Sequence, residues 1–161
     1  MSDEVEIGRG KRGRRAYTLD DIALVPSRRT RDPEDVNVGW QIDAYHVDTP
    51  LMAAPMDSVM SPETAIAFGR LGGIGVLDLD GLWTRYEDPT PILDHIAHLG
   101  EEESIATLQR VYSEPIKPSL ITARLKQLRE AGVVVAGKLS PQRVQKHWRA
   151  VVDAGVDLLI I

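Results

Sequence analysis

The sequence predicts an α/β fold built on parallel strands, and three observations predict it. Short continuous apolar runs recur at residues 51–55, 74–77, 133–136 and 156–161. Strands covered on both faces read this way, as near-unbroken apolar segments rather than as alternation. Between the runs lie helical patterns opened by Ser-Pro pairs, Ser61-Pro62 and Ser140-Pro141, where serine supplies the N-cap and proline the first helical position. Glycine closes them, at Gly72-Gly73, Gly132 and Gly155. Strand, capped helix, glycine stop and strand make a βαβ unit, whose strands are parallel.

Residues 1–16 carry Arg9, Lys11, Arg12, Arg14 and Arg15 among glycines with almost nothing apolar to bury, and read as a flexible basic arm. Gly8, Gly10 and Gly13 match G-x-G-x-x-G, with Asp32 near the place of an acidic ribose ligand. The match is formal, because a dinucleotide loop must join a buried strand to a helix. Here Val5-Glu6-Ile7 is a poor core strand, and Tyr17-Thr18-Leu19-Asp20-Asp21 and Pro26 follow. Val36, Val38, Trp40 and Ile42 alternate with polar or small residues, the pattern of a half-buried strand.

The apolar run 51–55 precedes a helix from Ser61-Pro62 to Leu71, and 74–77 is the next strand. Residues 80–118 are an elaborated connection rich in Asp, Glu and Pro, with short helical stretches at roughly 91–99 and 102–112. Residues 119–131 form a helix through Leu120, Ile121, Leu125, Leu128 and Ala131, and 133–136 the third strand. The helix after Ser140-Pro141 places Val144, Trp148, Val151 and Val152 on one face and leads to 156–161. The joints Ala131-Gly132-Val133 and Ala154-Gly155-Val156 repeat at 23 residues, about one βα unit. The chain stops on Leu158-Leu159-Ile160-Ile161, inside an expected strand. Termini usually lie at exposed surfaces, so the expectation is the front part of a longer protein.

Composition narrows the function classes. With 161 residues, 43% hydrophobic and 27% charged, the chain has the make-up of an ordinary globular domain. Its net charge of -5 excludes the overall basic surplus of a nucleic-acid binder. Without cysteine it has no disulfide, thiolate nucleophile or Cys-ligated metal. It has no apolar run near the roughly 18 residues of a membrane span and no secretory apolar core at its start, so a cytoplasmic location without membrane partners is expected.

In parallel α/β folds ligands bind where the strands end. The residues just past the first three runs are Met56-Asp57-Ser58, Asp78-Leu79-Asp80-Gly81 and Gly137-Lys138-Leu139-Ser140. Asp57, Asp78 and Asp80 are a cation set on paper, but the spacing lacks the later ligands of a calcium loop, and turn formation or a bond to a substrate hydroxyl is favoured over a metal. Lys138 is read as solvated, with phosphate contact the alternative, and Ser140 as an N-cap. His95, His98 and Asp94 lack a third metal ligand at known distance and read as a solvated helix face. His46 and His147 have no partner visible in sequence, and Glu101, Glu102 and Glu103 suit a helix start.

Three segments resemble the IMP dehydrogenase and GMP reductase family. Tyr17-Thr18-Leu19-Asp20-Asp21-Ile22-Ala23-Leu24-Val25-Pro26 resembles its opening T-F-D-D-V-L-L-x-P; Pro50-Leu51-Met52-Ala53-Ala54-Pro55-Met56-Asp57-Ser58-Val59 resembles its first barrel strand; Leu71-Gly72-Gly73-Ile74-Gly75-Val76-Leu77 resembles its second. The nearest branch is the actinobacterial IMP dehydrogenase-related proteins, which lack CBS domains, and the short 80–118 connection agrees.

The resemblance implies that residues 17–161 are the amino-terminal half, about four βα units, of a (β/α)8 TIM barrel. It implies an NAD-dependent oxidoreductase converting IMP to XMP in guanine nucleotide synthesis, through a cysteine beyond Ile161, so that the 161 residues alone are inactive. A monovalent cation such as K+, a purine nucleotide substrate and a homo-oligomer, tetrameric in the family, come with it. Met56 is placed against the hypoxanthine ring, where a thioether packs well on an aromatic face, with Ala54 and Asp57 beside the substrate. The family usually has Ser at Ala54 and His at Asp78. These departures keep open a non-catalytic purine-nucleotide-binding barrel, and a GMP reductase-like enzyme, which also has no CBS pair, is the nearer alternative.

Overall fold

The computed structural model describes residues 4–25 and 32–161. Two compact units divide the chain, Met1–Asn37 and Val38–Ile161.

In the first unit the basic segment is a hairpin: β1 (Glu4–Gly8) pairs antiparallel with β2 (Lys11–Arg14). Gly10, at φ +69, takes the left-handed turn position that other residues avoid. The glycines of the formal G-x-G-x-x-G therefore shape a hairpin, and among the described residues the next element after them is a 3-10 turn rather than an α-helix. The Thr18-Leu19-Asp20-Asp21 segment closes a 3-10 turn in which the Thr18 N–H donates to Asp21 Oδ2 at 3.0 Å. Pro26, the end of that motif, lies outside the described residues.

In the second unit the expected strand at Val36–Ile42 contracts to β3 (Trp40–Ile42), which pairs antiparallel with β4 (Tyr45–Val47) across Asp43, a non-glycine residue at φ +48. Val36 and Val38 are exposed and outside it. Then comes β5 (Met52–Ala53), shorter than the apolar run because Pro50 and Pro55, which have no N–H for a ladder, bracket it. Helix α1 (Pro62–Arg70) follows with the cap expected of it, as Ser61 Oγ accepts from the Thr64 N–H at 3.1 Å. Gly72 at φ +88 turns the chain into β6 (Ile74–Asp78). The connection carries α2 (Thr90–Ala97) and α3 (Glu101–Val111), close to the expected stretches. The remainder is α4 (Pro118–Glu130), β7 (Ala136–Lys138), α5 (Pro141–Asp153) and β8 (Leu158–Ile160). Strands β5, β6, β7 and β8 form one sheet in that order, every pair parallel. The α/β class and the parallel sheet thus stand.

Two details differ from expectation. The third strand lies at 136–138 rather than 133–136, because Val133 and Val134 belong to the joint after Gly132, and the Val135 N–H goes to the Asp157 side chain at 2.8 Å rather than to a ladder. An apolar run reports burial, and burial here begins before pairing does. On α5 the covered residues are Val151 and His147, while Trp148 and Val152 are 43% and 53% exposed. The buried stripe follows Val144, His147, Val151 and Ala154, one residue round the helix from the face that apolarity alone selects.

Side chains alternate across the sheet, as strand geometry requires. Leu77, Val135 and Leu159 join Ile121, Leu125, Leu128 and Val151 of α4 and α5 in one core. Ile74, Val76, Ala136, Leu158 and Ile160 form a second cluster on the other face with Ile42 and Val47 of the β3–β4 hairpin. Gly75 faces α1, and a Cβ there would lie 2.5 Å from the Ala65 Cα, so only glycine lets helix and strand approach this closely.

Candidate functional site

Alternation puts Asp78 and Lys138 on the face opposite the helices, at the carboxyl ends of β6 and β7, and the parallel register sets them side by side. Lys138 Nζ lies 3.5 Å from Asp78 Oδ1 and 3.4 Å from Asp80 Oδ2. The solvated reading of Lys138 is therefore corrected: its ammonium is shared between two carboxylates, which leaves little charge for a phosphate. Burial pushes the Asp78 carboxyl up, against the Asp80 N–H bond and the Lys138 charge that favour its ionised form. Asp80 also accepts the Ser140 N–H at 2.7 Å, which joins the β6 loop to the start of α5. Ser140 stands at the N-cap with no cap bond from its own side chain.

Asp57 is a second junction. Its Oδ2 accepts from the Leu82 N–H at 2.7 Å and from the Tyr112 hydroxyl at 2.6 Å. Its Oδ1 is buried without a hydrogen bond against Gly81, where a Cβ would collide with the carboxylate. The Tyr112 hydroxyl is pushed above the usual phenol range by burial and by the Asp57 carboxylate, so it remains a donor. Arg85, almost fully buried, stacks 5.5 Å from the Tyr112 ring and donates to the carbonyls of Asp80 and Glu114.

Around Asp57 lies a cavity of about 650 Å3, with Pro55, Met56 and Asp78 at the strand ends and Leu93, Ile96 and Leu108 on the side of α2 and α3. Met56 is half exposed. The cavity is thus where the strand-end rule places a ligand, and Met56, Asp57 and Asp78 line it together. Ala54, exposed on the same turn, is not among its lining residues. Asp57, Asp78 and Asp80 serve as turn and strand-end anchors, and no cluster of three metal-ligating side chains occurs among the described residues. His98 Nδ1 meets the Asp94 carbonyl at 2.7 Å on an exposed helix, and His46 lies 3.7 Å from Asp48. His147 is buried, which together with Lys146 and Arg143 pushes its imidazole below its usual range.

Tyr112 and Arg85 escaped the sequence reading. They meet partners up to 55 residues away, and the helical pattern read over 102–112 gives no sign of such a contact. A third polar junction, at the opposite ends of the strands, escaped for the same reason: Tyr45 donates to Asp157 Oδ1 at 2.6 Å across 112 residues, and Arg129 to the same oxygen at 2.5 Å.

Residues 16–161 match the model of the IMP dehydrogenase / GMP reductase domain. The chain belongs to that family. It is 43% identical over 162 residues to an uncharacterized oxidoreductase of Mycolicibacterium smegmatis, a match covering 98% of this chain and 43% of that protein. An inosine-5'-monophosphate dehydrogenase of Methanocaldococcus jannaschii matches at 41% over 64 residues, 40% of this chain and 13% of that one. The crystal structure of an IMP dehydrogenase/GMP reductase-like protein from Corynebacterium glutamicum superimposes with a TM-score of 0.83 at 42% identity, over 99% of this chain and 44% of that chain. The chain thus spans less than half the length of these relatives. Among the described residues no helix is long and apolar enough to cross a membrane.

Proposed function

We propose that this chain supplies the first four βα units of a (β/α)8 barrel that binds a purine nucleotide and, in the whole protein, oxidises IMP to XMP with NAD. The observation that carries the reading is the meeting of Met56 and Asp78, from the ends of two adjacent parallel strands, around one cavity. The family match over 16–161 supplies the chemistry to be tested.

The cavity fits part of such ligands. Met56, Leu93, Ile96 and Leu108 offer an apolar, polarizable slot for a flat ring. Asp57, Asp78 and Asp94 line it and no lysine or arginine does, the Lys138 ammonium beside Asp78 being shared with Asp80. That lining suits the ring end of a purine nucleotide or of NAD and repels a phosphate, so the phosphates lie outside it. NAD supplies a hydride acceptor when bound. This chain's own part is to hold the ring with Met56 and to fix the strand ends through Asp57, Asp78 and Lys138. Covalent activation of the purine needs a nucleophile such as a cysteine, which the chain lacks. A monovalent cation and a homotetramer remain part of this proposal, and none of the residues above is assigned to either.

The test measures IMP binding by equilibrium dialysis, and NADH absorbance with IMP and NAD. It compares the 161-residue chain with a fusion to the carboxyl-terminal part of the Mycolicibacterium smegmatis relative. Binding by both and NADH from the fusion alone are expected. Turnover by the 161 residues alone overturns the assignment of the covalent step, and no IMP binding by either overturns the purine reading. A fusion that consumes reduced cofactor with GMP is a reductase instead, and one that binds IMP yet turns over neither substrate is a binding barrel, the reading that Ala54 and Asp78 favour.

A further inference from the structure

Helices α2 and α3 are weakly held. Helix α2 has no buried residue, α3 buries only Val111, and neither contributes to either core cluster. Elements with so little covered apolar surface open most easily. Their apolar residues Leu93, Ile96 and Leu108 instead line the cavity that Met56 also lines. Among the side-chain hydrogen bonds that tie the far end of α3 to the body, Tyr86 donates to the Val111 carbonyl at 3.1 Å, and Tyr112, at the helix C-cap, donates to Asp57 Oδ2 at 2.6 Å.

The second tie reaches the ligand side. Asp57 follows Met56 directly, and its remaining contacts, the Leu82 N–H and Gly81, hold the β6 loop. One carboxylate thus connects the turn that carries Met56, the loop after β6 and the end of α3. Arg85, anchored on two carbonyls, holds the Tyr112 ring from its other side. The buried Arg85 thus joins the loop after β6 and the segment after α3, with the Tyr112 ring against it.

We propose that Tyr112 is a positioning residue, which latches the α2–α3 pair onto Asp57 and so makes it the second wall of a slot for the planar ring of a purine, opposite Met56. The occupant rests on the purine reading above, whereas the latch rests on the hydrogen bond and the burial pattern. With the latch closed, Leu108 and Ile96 stand against the ring. With it open, Met56 meets the ring alone.

Two measurements on the 161-residue protein test this: hydrogen exchange read by mass spectrometry across residues 90–111, and IMP affinity by equilibrium dialysis. Tyr112→Phe keeps the ring and removes the donor. It is expected to speed exchange in 90–111 severalfold while exchange in α4 stays unchanged, and to weaken IMP binding about tenfold. Leu108→Ala, a change at a part-exposed wall residue that spares the latch, is expected to weaken IMP binding with exchange close to the parent's. Unchanged exchange in Tyr112→Phe overturns the latch. Faster exchange with unchanged IMP affinity overturns the wall and leaves Tyr112 a structural residue. If the parent binds no IMP while Tyr112→Phe still loosens 90–111, the purine reading fails and the latch stands. If Tyr112→Phe unfolds the whole chain, unchanged IMP affinity in Leu108→Ala overturns the wall.

Discussion

Helices α4 and α5 and helices α2 and α3 answer the same sheet in opposite ways. The first pair turns Ile121, Leu125, Leu128 and Val151 inward, all fully buried, onto Leu77 of β6 and onto Val135 and Leu139, which flank β7. The second pair buries Val111 alone and spends its apolar residues on a cavity wall. Helix amphipathicity is present in both. What differs is what the apolar face meets, and this separates the part of the molecule that stabilises the fold from the part available to bind.

The sharpest way to break that contrast is to truncate one residue in each pair. Leu125 is fully buried in the helix–sheet core, and Leu125→Ala is expected to cost about 2–5 kcal/mol, as lost transfer energy plus a cavity. Leu108, 37% exposed, leaves solvent or cavity behind, and Leu108→Ala is expected to cost below about 1 kcal/mol. Urea denaturation of the two variants against the parent checks this. Equal losses would mean that α3 belongs to the folding core after all.

A second contrast lies between the two ends of the strands. At the carboxyl ends, Asp78, Asp80 and Lys138 leave one surplus negative charge beside the cavity. At the amino ends, Asp157 is closed off by Tyr45, Arg129 and the Val135 N–H. Burial raises the Asp157 carboxyl, but its three donors outweigh that and hold it below the ordinary carboxylate value. The folded chain therefore binds the Asp157 proton less readily than the unfolded chain. The stabilisation is present above the unfolded value of about 3.9 and is lost as pH falls through the lower folded one. Asp157→Ala is expected to cost about 1–3 kcal/mol at pH 7, for lost bonds and unsatisfied donors. The gap between parent and variant should narrow below about pH 4 in urea titrations. A gap constant with pH would assign Asp157 to packing alone.

The parts that were readable in the sequence are those whose causes are local. Ser61-Pro62 caps α1 where it stands, Gly72 turns where a positive φ is required, and the order of strands and helices follows. The strand-end rule also names Met56, Asp57 and Asp78, and these three line one cavity. What was not readable depends on partners far along the chain. The start of β7 is set by the Asp157 side chain 22 residues on, and the face of α5 by packing that buries a histidine in preference to a tryptophan. Lys138 looks like any solvated lysine until the register with β6 brings two carboxylates to it. Tyr112 carries no local signal, because its role exists only where α3 returns to the β5 turn.

The smallest expected effect bears most directly on the contrast between stabilising and binding residues. Met56 is half exposed, belongs to neither core cluster and lines the cavity. Truncating it removes little packing from the folded state, so Met56→Ala should leave the urea midpoint close to the parent's. A ring seated on the thioether would lose a sulfur–aromatic contact and some covered area, so IMP binding should weaken by about 1 kcal/mol or somewhat more, several- to tenfold in affinity. The two readouts move in opposite senses for the two roles. A binding residue shifts the dialysis isotherm and leaves the midpoint; a core residue does the reverse. Unchanged IMP affinity with a large loss of stability would place Met56 with Leu125 and would withdraw the sulfur–aromatic contact from the proposed ring slot.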